Sequence, residues 1–461
     1  MEAVIRIFTT ESAEGSEGKE GMIRIRDPRT RSFFSVSVPS VLSVVKILVI
    51  VLCTGCAGSG VSTSTSHRGE TAAAPVVVGV PSGPAAEFYS TEGSASFAAD
   101  PFATRLAAEI DGSQKRHGLS PIVHDGQLDR VASDLALVAG AARTPSPETV
   151  AFLLAHYGLV EPEPNLFLIH GDAGAEESAA AGLREQLASA TASTWRRVGI
   201  GVRRASGKWS AVLVFQEKHF DVANLPRRLV SGGQITIAGR LQPIFHSPEV
   251  LFTSPRGNVE RLVTSARQGN FSARFLCNQG DGAYQVEISA ADVRGPRVLA
   301  NFPVYCGVAP PAAFTAMSAA TPTPTDPTQA EAQLLVQLDR DRKASGLPAL
   351  VHDPRLAEIA RRYSREMAGT GEVAHFSRRT GSVVDRMQAA KISPAPTIIA
   401  ENVGSALSAA DAERGFMASP GHRDNILNRA ITHVGVGVAV GRAEGGTVPL
   451  YFTQVFAGFG Q

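Results

Sequence analysis

Hydrophobic spacing divides this chain into stretches of different texture. In the last third, apolar positions recur at helical intervals. Leu334, Leu335 and Leu338 follow Asp326-Pro327, and Leu356, Ile359, Ala360, Tyr363 and Met367 follow Asp353-Pro354. An Asp-Pro pair supplies an N-cap acceptor and a residue whose fixed φ suits the first helical position. Both segments are therefore predicted helices, ending at Gly346 and at Gly369 with Gly371. Ser382-x-x-Asp385 reads as a capping box before Val384, Met387 and Ala390. Ser408 caps a further helix carrying Ala412, Phe416 and Met417, and Ser419-Pro420 starts a short turn through His422. Strands are predicted over about 433–440 and 448–457. Helices first and a strand pair after them predict an α+β layered fold.

Residues 223–308 carry a period of two instead. Gln234–Gly239, Val250–Thr253, Phe271–Phe275 and Tyr284–Ile288 alternate between turns rich in Gly, Asn, Pro and Asp, which predicts a small β-sandwich. Residues 101–222 mix helical and strand patterns. Residues 57–100, rich in Ala, Gly, Ser, Thr and Pro, read as a flexible tether, and 309–329 as a Pro/Thr linker.

An internal repeat links the first and last parts. Gly118-Leu119-Ser120-Pro121-Ile122-Val123-His124-Asp125 mirrors Gly346-Leu347-Pro348-Ala349-Leu350-Val351-His352-Asp353 at an offset of 228 (346 minus 118). Val198-Gly199-Ile200-Gly201-Val202 mirrors Val434-Gly435-Val436-Gly437-Val438 at 236 (434 minus 198). Similar strings in the same order predict two copies of one domain, 101–222 and 330–461.

The N-terminus adds an address. Arg24, Arg26, Arg29 and Arg31 precede an apolar run through Ile47-Leu48-Val49-Ile50-Val51-Leu52, the layout of a bacterial export signal over residues 1–56, with Met22 as an alternative start. The run ends at Cys53-Thr54-Gly55-Cys56, which resembles a lipoprotein processing site with Cys56 lipidated. Plain secretion and a membrane anchor stay open. Cysteine 53 stands where such sites usually carry leucine. In an exported chain Cys277 and Cys306 read as a disulfide, with two buried thiols as the alternative. Lys+Arg 44 against Asp+Glu 43 leaves no field favouring nucleic acid.

Candidate chemistry concentrates in three short strings: Ala374-His375-Phe376-Ser377, Ala400-Glu401-Asn402-Val403 and Ser419-Pro420-Gly421-His422-Arg423-Asp424-Asn425. Glu401 follows Ile398-Ile399-Ala400 and is expected at the rim of the core. Two imidazoles and a carboxylate match a zinc site with an open position, or an acid–base pair. The alternative is that each is a solvated or capping residue. His352 and His433 read as structural or exposed, Arg386 as an ion-pair partner, and Asn425 and Arg423 as serving either a turn or the site. The first copy lacks all three strings.

These strings, with Leu347-Pro348-Ala349-Leu350, Gly435-Val436-Gly437-Val438 and Phe452-Thr453-Gln454, resemble the CAP superfamily (cysteine-rich secretory, antigen 5 and pathogenesis-related 1 proteins), most closely its bacterial SCP-like branch. The resemblance covers 330–461; in 101–222 it is that of a degenerate copy. It implies a three-layer α-β-α sandwich with a large cleft, in which many members place two His and two Glu, sometimes around a divalent metal. His375, Glu401 and His422 match three of those positions, while Ser419 falls on the second Glu and Phe416 replaces the usual tryptophan. Members bind sterols or lipids, act at cell walls or signal through protein contacts, and protease activity has been proposed for some. The expectation is thus an exported, lipid-anchored protein of the cell envelope. Its cleft of His375, Glu401, His422, Ser419 and Asn425 would bind a small molecule, lipid, glycan, cell-wall or peptide ligand. The alternative is a metal-dependent peptidase or cell-wall hydrolase, with Glu401 as general base and His375, His422 and Glu401 around zinc.

Overall fold

The structure, a computed structural model, describes residues 6–8, 47–51, 76–95, 100–139, 143–162, 164–189, 195–317, 319–320, 326–442 and 448–459. Cys56, Met22 and most of the proposed export signal lie outside them. Among the described residues no helix is long and apolar enough to cross a membrane.

The C-terminal part is built on a sheet ordered Ile398–Ala406, Leu450–Gly458, His433–Val440, Val351–His352, with Arg6–Phe8 parallel on the outer side of the first. Helices cover both faces. Ala330, Leu334 and Leu338 of the helix Pro327–Ala344 pack with Phe416 and Ile426 against Val434, Val436, Val438, Phe452 and Phe456. Leu356, Ile359 and Ala360 of the helix Pro354–Thr370, with Val383, Val384 and Met387, pack against Ile399, Val455 and Ala457 on the other face. The period of two sends successive residues of each strand to opposite layers. The sequence pattern passes over the strand Ile398–Ala406 because it is buried on both faces and does not alternate.

Two glycines set how closely a helix can lie on this sheet. A Cβ at Gly435 would stand 2.1 Å from the backbone of Leu356 and Ala357, and one at Gly437 2.2 Å from that of Ala360 and Arg361. The strand therefore touches the helix Pro354–Thr370 backbone to backbone.

The expected turn through His422 is instead the helix Pro420–Leu427. Ser419 caps it, Pro420 occupies its first turn, and fully buried Ile426 anchors it to the core. Tertiary anchoring is what short helices need, since propensity alone does not hold them.

Residues 101–222 contain a second sheet of the same order: Asn165–Asp172, Lys208–Glu217, Trp195–Ala205, Val123–His124, with Ile47–Val51 parallel on the outer side. Gly199 and Gly201 lie against the backbone at Leu128–Asp129 and Ala132–Ser133, as Gly435 and Gly437 do 236 residues on.

Between the two, a four-stranded sheet (Phe220–Val222, Gln234–Leu241, Asn270–Leu276, Thr264–Arg267) shares one core with a five-stranded sheet. The latter orders Arg228–Leu229, Gly295–Cys306, Gly282–Asp292, His246–Thr253 and Val259–Leu262. Cys277 and Cys306 form a disulfide, with Cα atoms 5.7 Å apart. The expected tether and linker are both partly folded. Phe88–Tyr89 pairs with Leu225–Pro226, and Tyr89 is fully buried in the middle core. Val76–Gly79 pairs with Phe314–Met317, and Phe314 is buried in the first domain. Isolated aromatics inside polar composition did this: each buries enough apolar surface to order its neighbours.

Candidate functional site

Glu401 stands in mid-strand and is 2% exposed, so it lies inside the core rather than at its rim. Its pairing partner Val455 belongs to the core under the helix Pro354–Thr370, so the carboxylate faces that layer. Ser382 and Asp385 form a capping box, and the helix it starts, Val383–Ala389, carries Arg386. Arg386 Nη2 donates to Glu401 Oε1 at 2.5 Å and Nη1 donates to the Gly381 carbonyl at 2.6 Å. The guanidinium carbon lies 3.5 Å from the centroid of the Tyr363 ring, a cation–π contact on a desolvated face. His375 Nδ1 lies 3.2 Å from Glu401 Oε2. The Tyr363 hydroxyl donates to the carbonyl of Ala374, which ties the His375 segment to the helix Pro354–Thr370. Both carboxylate oxygens are thus committed, one to a guanidinium and one to an imidazole.

His422 approaches from the other helical layer. Its ring centroid is 6.4 Å from that of His375 and 5.2 Å, edge-on, from that of Phe416. Burial pushes its pKa down to about 3, and the neighbouring His375 pushes the same way. His422 is therefore a neutral imidazole at any ordinary pH, with one donor and one acceptor nitrogen.

A buried amide chain holds this segment. Asn402 Nδ2 donates to the His422 carbonyl at 3.2 Å and to Gln454 Oε1 at 2.9 Å. Gln454 Nε2 donates to Glu413 Oε2 at 2.8 Å, and burial raises the Glu413 pKa to about 8. Asn425 Nδ2 donates to Asn402 Oδ1 at 2.9 Å and to the Glu401 carbonyl at 3.3 Å. Asn425 thus serves the site by fixing backbone. Ser419 does not join the set: its Oγ donates to Glu287 Oε2 of the middle domain at 2.5 Å. His352 is exposed, and His433 Nδ1 lies 2.7 Å from the hydroxyl of its neighbour Thr432, away from the site.

The three expected zinc ligands do not assemble as one. Two imidazoles on a single tetrahedral zinc, with bonds of about 2.0–2.1 Å to nitrogen, would place their centroids about 5 Å apart. The distance here is longer, the Glu401 oxygens are taken, and the Arg386 cation already neutralises that carboxylate. Among the described residues no group of three or more His, Cys, Asp or Glu is placed to hold a metal.

The sheet of 101–222 shows what the site requires. Gly435 pairs with Val455 and Val455 with Glu401; in the first sheet Gly199 pairs with Val214 and Val214 with Leu166. By that register Leu166 stands at the Glu401 position, Phe167 at Asn402, Val212 at Thr453 and Leu213 at Gln454. The same scaffold carries a buried polar row once and an apolar one once. Asn402 and Gln454 lay within quoted strings of the sequence, but Glu413 and Glu287 had no local signal and become visible only through their partners.

Residues 337–456 match the family described as CAP, the cysteine-rich secretory protein family. The Bacillus subtilis (strain 168) protein YkwD is 30% identical over 149 residues, 32% of this chain and 54% of that protein. The membrane protein YlbC of the same organism is 34% identical over 113 residues, 24% of this chain and 32% of that protein. The chain thus spans about half of one curated relative and a third of the other. Among solved structures, an extracellular SCP-domain protein from Bacillus anthracis str. Ames is 17% identical, with a TM-score of 0.26, over 52% of this chain and 86% of that one. A cysteine-rich secretory protein from Staphylococcus aureus subsp. aureus Mu50 is 16% identical, with a TM-score of 0.24, over 57% and 86%.

Proposed function

With its C-terminal domain, residues 337–456, belonging to the CAP family, we propose that this chain is an exported binding protein. Its His375–His422 site takes the polar end of a lipid, glycan or peptide ligand. One observation carries the reading: Arg386 and His375 occupy both oxygens of Glu401. A carboxylate that is buried, charge-paired and doubly hydrogen-bonded is a structural anchor, not a general base with a proton to take. Neither does a nucleophile accompany the histidines, since the Ser419 hydroxyl is bound to Glu287. What the site does present is hydrogen-bonding capacity. The His375 side chain is 19% exposed with Nδ1 held by Glu401, which leaves Nε2 for a ligand, and neutral His422 stands beside it. Phe376 is 40% exposed at the same place and offers an apolar surface to the less polar part of an amphiphile.

The double substitution His375→Ala/His422→Ala tests this. Titration with phospholipid vesicles, soluble peptidoglycan fragments and a peptide library should show at least a tenfold affinity loss for whichever probe the native chain binds, about 1.4 kcal/mol or more. Unchanged affinity for every bound probe would remove the site. Stoichiometric zinc together with His375-dependent hydrolysis of peptide or peptidoglycan would replace binding by the metal-dependent hydrolase.

We infer that the domain lies outside the cytoplasm, tethered through lipidated Cys56. The motive is the Arg-rich segment, apolar run and Cys56 before a Ser/Thr-rich stretch. Cys56→Ser should shift the protein from the membrane fraction to the soluble exported fraction and abolish labelling by a radioactive fatty acid. Retention in the membrane fraction with that substitution would rule out the anchor.

A further inference from the structure

The middle β-domain grips the C-terminal domain at the two segments that carry the site histidines, and at each by more than one bond. On the first, the amide of Phe376 donates to the Arg294 carbonyl at 2.9 Å, at the tip of the hairpin Gly282–Asp292/Gly295–Cys306. Gly295 adopts φ +95° there, and a Cβ on it would stand 3.2 Å from the Cβ of His375. Arg294 Nη1 also lies 3.7 Å from Glu372. On the second, the fully buried Glu287 of the same hairpin accepts from Ser419 Oγ at 2.5 Å and from the amide of Gly421 at 3.1 Å. Asn301 Nδ2 donates to the Ala418 carbonyl at 3.2 Å and Arg423 Nε to the Gly257 carbonyl at 3.2 Å.

One hairpin therefore touches both arms. Gly282–Asp292 and Gly295–Cys306 pair along their whole length, and the first of them is also joined to His246–Thr253. A paired hairpin within a five-stranded sheet is stiff, so its two contacts are separated by a fixed distance. Within their own domain both arms rest on the strand Ile398–Ala406, His375 through Glu401 and the His422 carbonyl through Asn402. But His375 lies in a loop after the helix Pro354–Thr370 and His422 in the first turn of an eight-residue helix, so the hairpin braces them a second time from outside.

We propose that the middle β-domain is a clamp that sets the spacing of His375 and His422, with Glu287 and the Asp292–Gly295 turn as its two jaws. The binding site is then a product of two domains, and release of the hairpin is the motion that opens it. In its own domain Glu287 is buried near Glu249 and Arg261, and the hydrogen bonds that offset its burial come from Ser419 and Gly421 across the domain boundary. This rests on the assignment of His375 and His422 to the binding site.

Amide hydrogen exchange on the full chain tests the clamp without a ligand. Phe376 and Gly421 are each protected by an acceptor in the middle domain, so their exchange reports release of each jaw. Glu287→Ala should speed exchange of Gly421 and also of Phe376, by about tenfold, the change expected for losing a buried hydrogen bond to a carboxyl group. Gly295→Ala, which leaves Glu287 in place, should do the reverse and speed Gly421 as well as Phe376. In both variants the amides of Gly435–Val438 and Ile288–Ala290 keep native exchange. If Glu287→Ala unfolds the middle domain, the Gly295→Ala result decides. Acceleration confined to the amide next to each substitution overturns the clamp. Loss of the clamp in this test leaves the binding reading intact. Coupled exchange in a chain whose His375→Ala/His422→Ala variant binds normally keeps the clamp and removes the site.

Discussion

Arg386→Ala is expected to destabilise the C-terminal domain by about 3–5 kcal/mol, the usual cost of stripping one partner from a buried ion pair. Glu401 is 2% exposed and Arg386 7%, so water cannot replace the lost guanidinium. The substitution also frees the Gly381 carbonyl and uncovers the Tyr363 ring. Thermal or urea unfolding, followed by a probe in this domain, measures it. A fall under about 1 kcal/mol would mean that the pair is solvated and worth no more than a surface bridge. The partner experiment separates charge from packing. Arg386→Leu with Glu401→Leu removes both charges and should recover most of the loss, because buried pairs are often replaceable by apolar residues. The first domain already carries Leu166 at that register. The recovered variant should fold and have no site, since His375 would lose the acceptor that orients its ring.

Gly437→Val is expected to prevent folding of the C-terminal domain, at a cost beyond about 4 kcal/mol. The added Cβ would meet the backbone of Ala360 and Arg361 at 2.2 Å, and backbone cannot rotate away as a side chain can. The helix Pro354–Thr370 would have to lift off the sheet, taking Tyr363 and the His375 segment with it. Gly201→Val should act on the first domain alone, since Ser133 N lies 2.2 Å from its Cβ position. Gly415→Ala is the control: nothing lies near its Cβ position, and within a helix the change should be neutral or stabilising by up to about 1 kcal/mol. Circular dichroism with limited proteolysis would read all three. A folded, protease-resistant Gly437→Val domain would show that the contact is not what sets the layer spacing.

The helices were legible because their signals are local. Asp326, Asp353, Ser382 and Ser408 cap the helices assigned to them, and the capping box at Ser382 and Asp385 forms in both directions. The Gly-x-Gly strings were legible as a repeat, and their reason emerged as two close approaches of helix to strand. Less legible was everything whose meaning depends on a partner far along the chain. The strand Ile398–Ala406 escaped because it is covered on both faces, and Glu401 was placed at a rim because nothing nearby in sequence reveals Arg386 above it. The family resemblance puts Ser419 in the cleft, at the position of the second Glu, whereas its hydroxyl is claimed by Glu287 from 132 residues away. Tyr89 and Phe314 showed that composition misjudges a segment in which one aromatic finds a core.

The sequence by itself determined the capped helices and the closing strand pair, the repeat, the family resemblance and the residues available for chemistry, because caps, periodicity and motif spacing act over a few residues. Tertiary structure decided what those residues are for. It paired Glu401 with Arg386 and His375 and set His422 6.4 Å from His375, which argues against a shared metal. It also brought a hairpin of the middle domain onto both histidine segments. The physical reason is the same in each case. The role of a charged or polar side chain is set by burial and by the partner it meets, and both are created only when distant parts of the chain pack together.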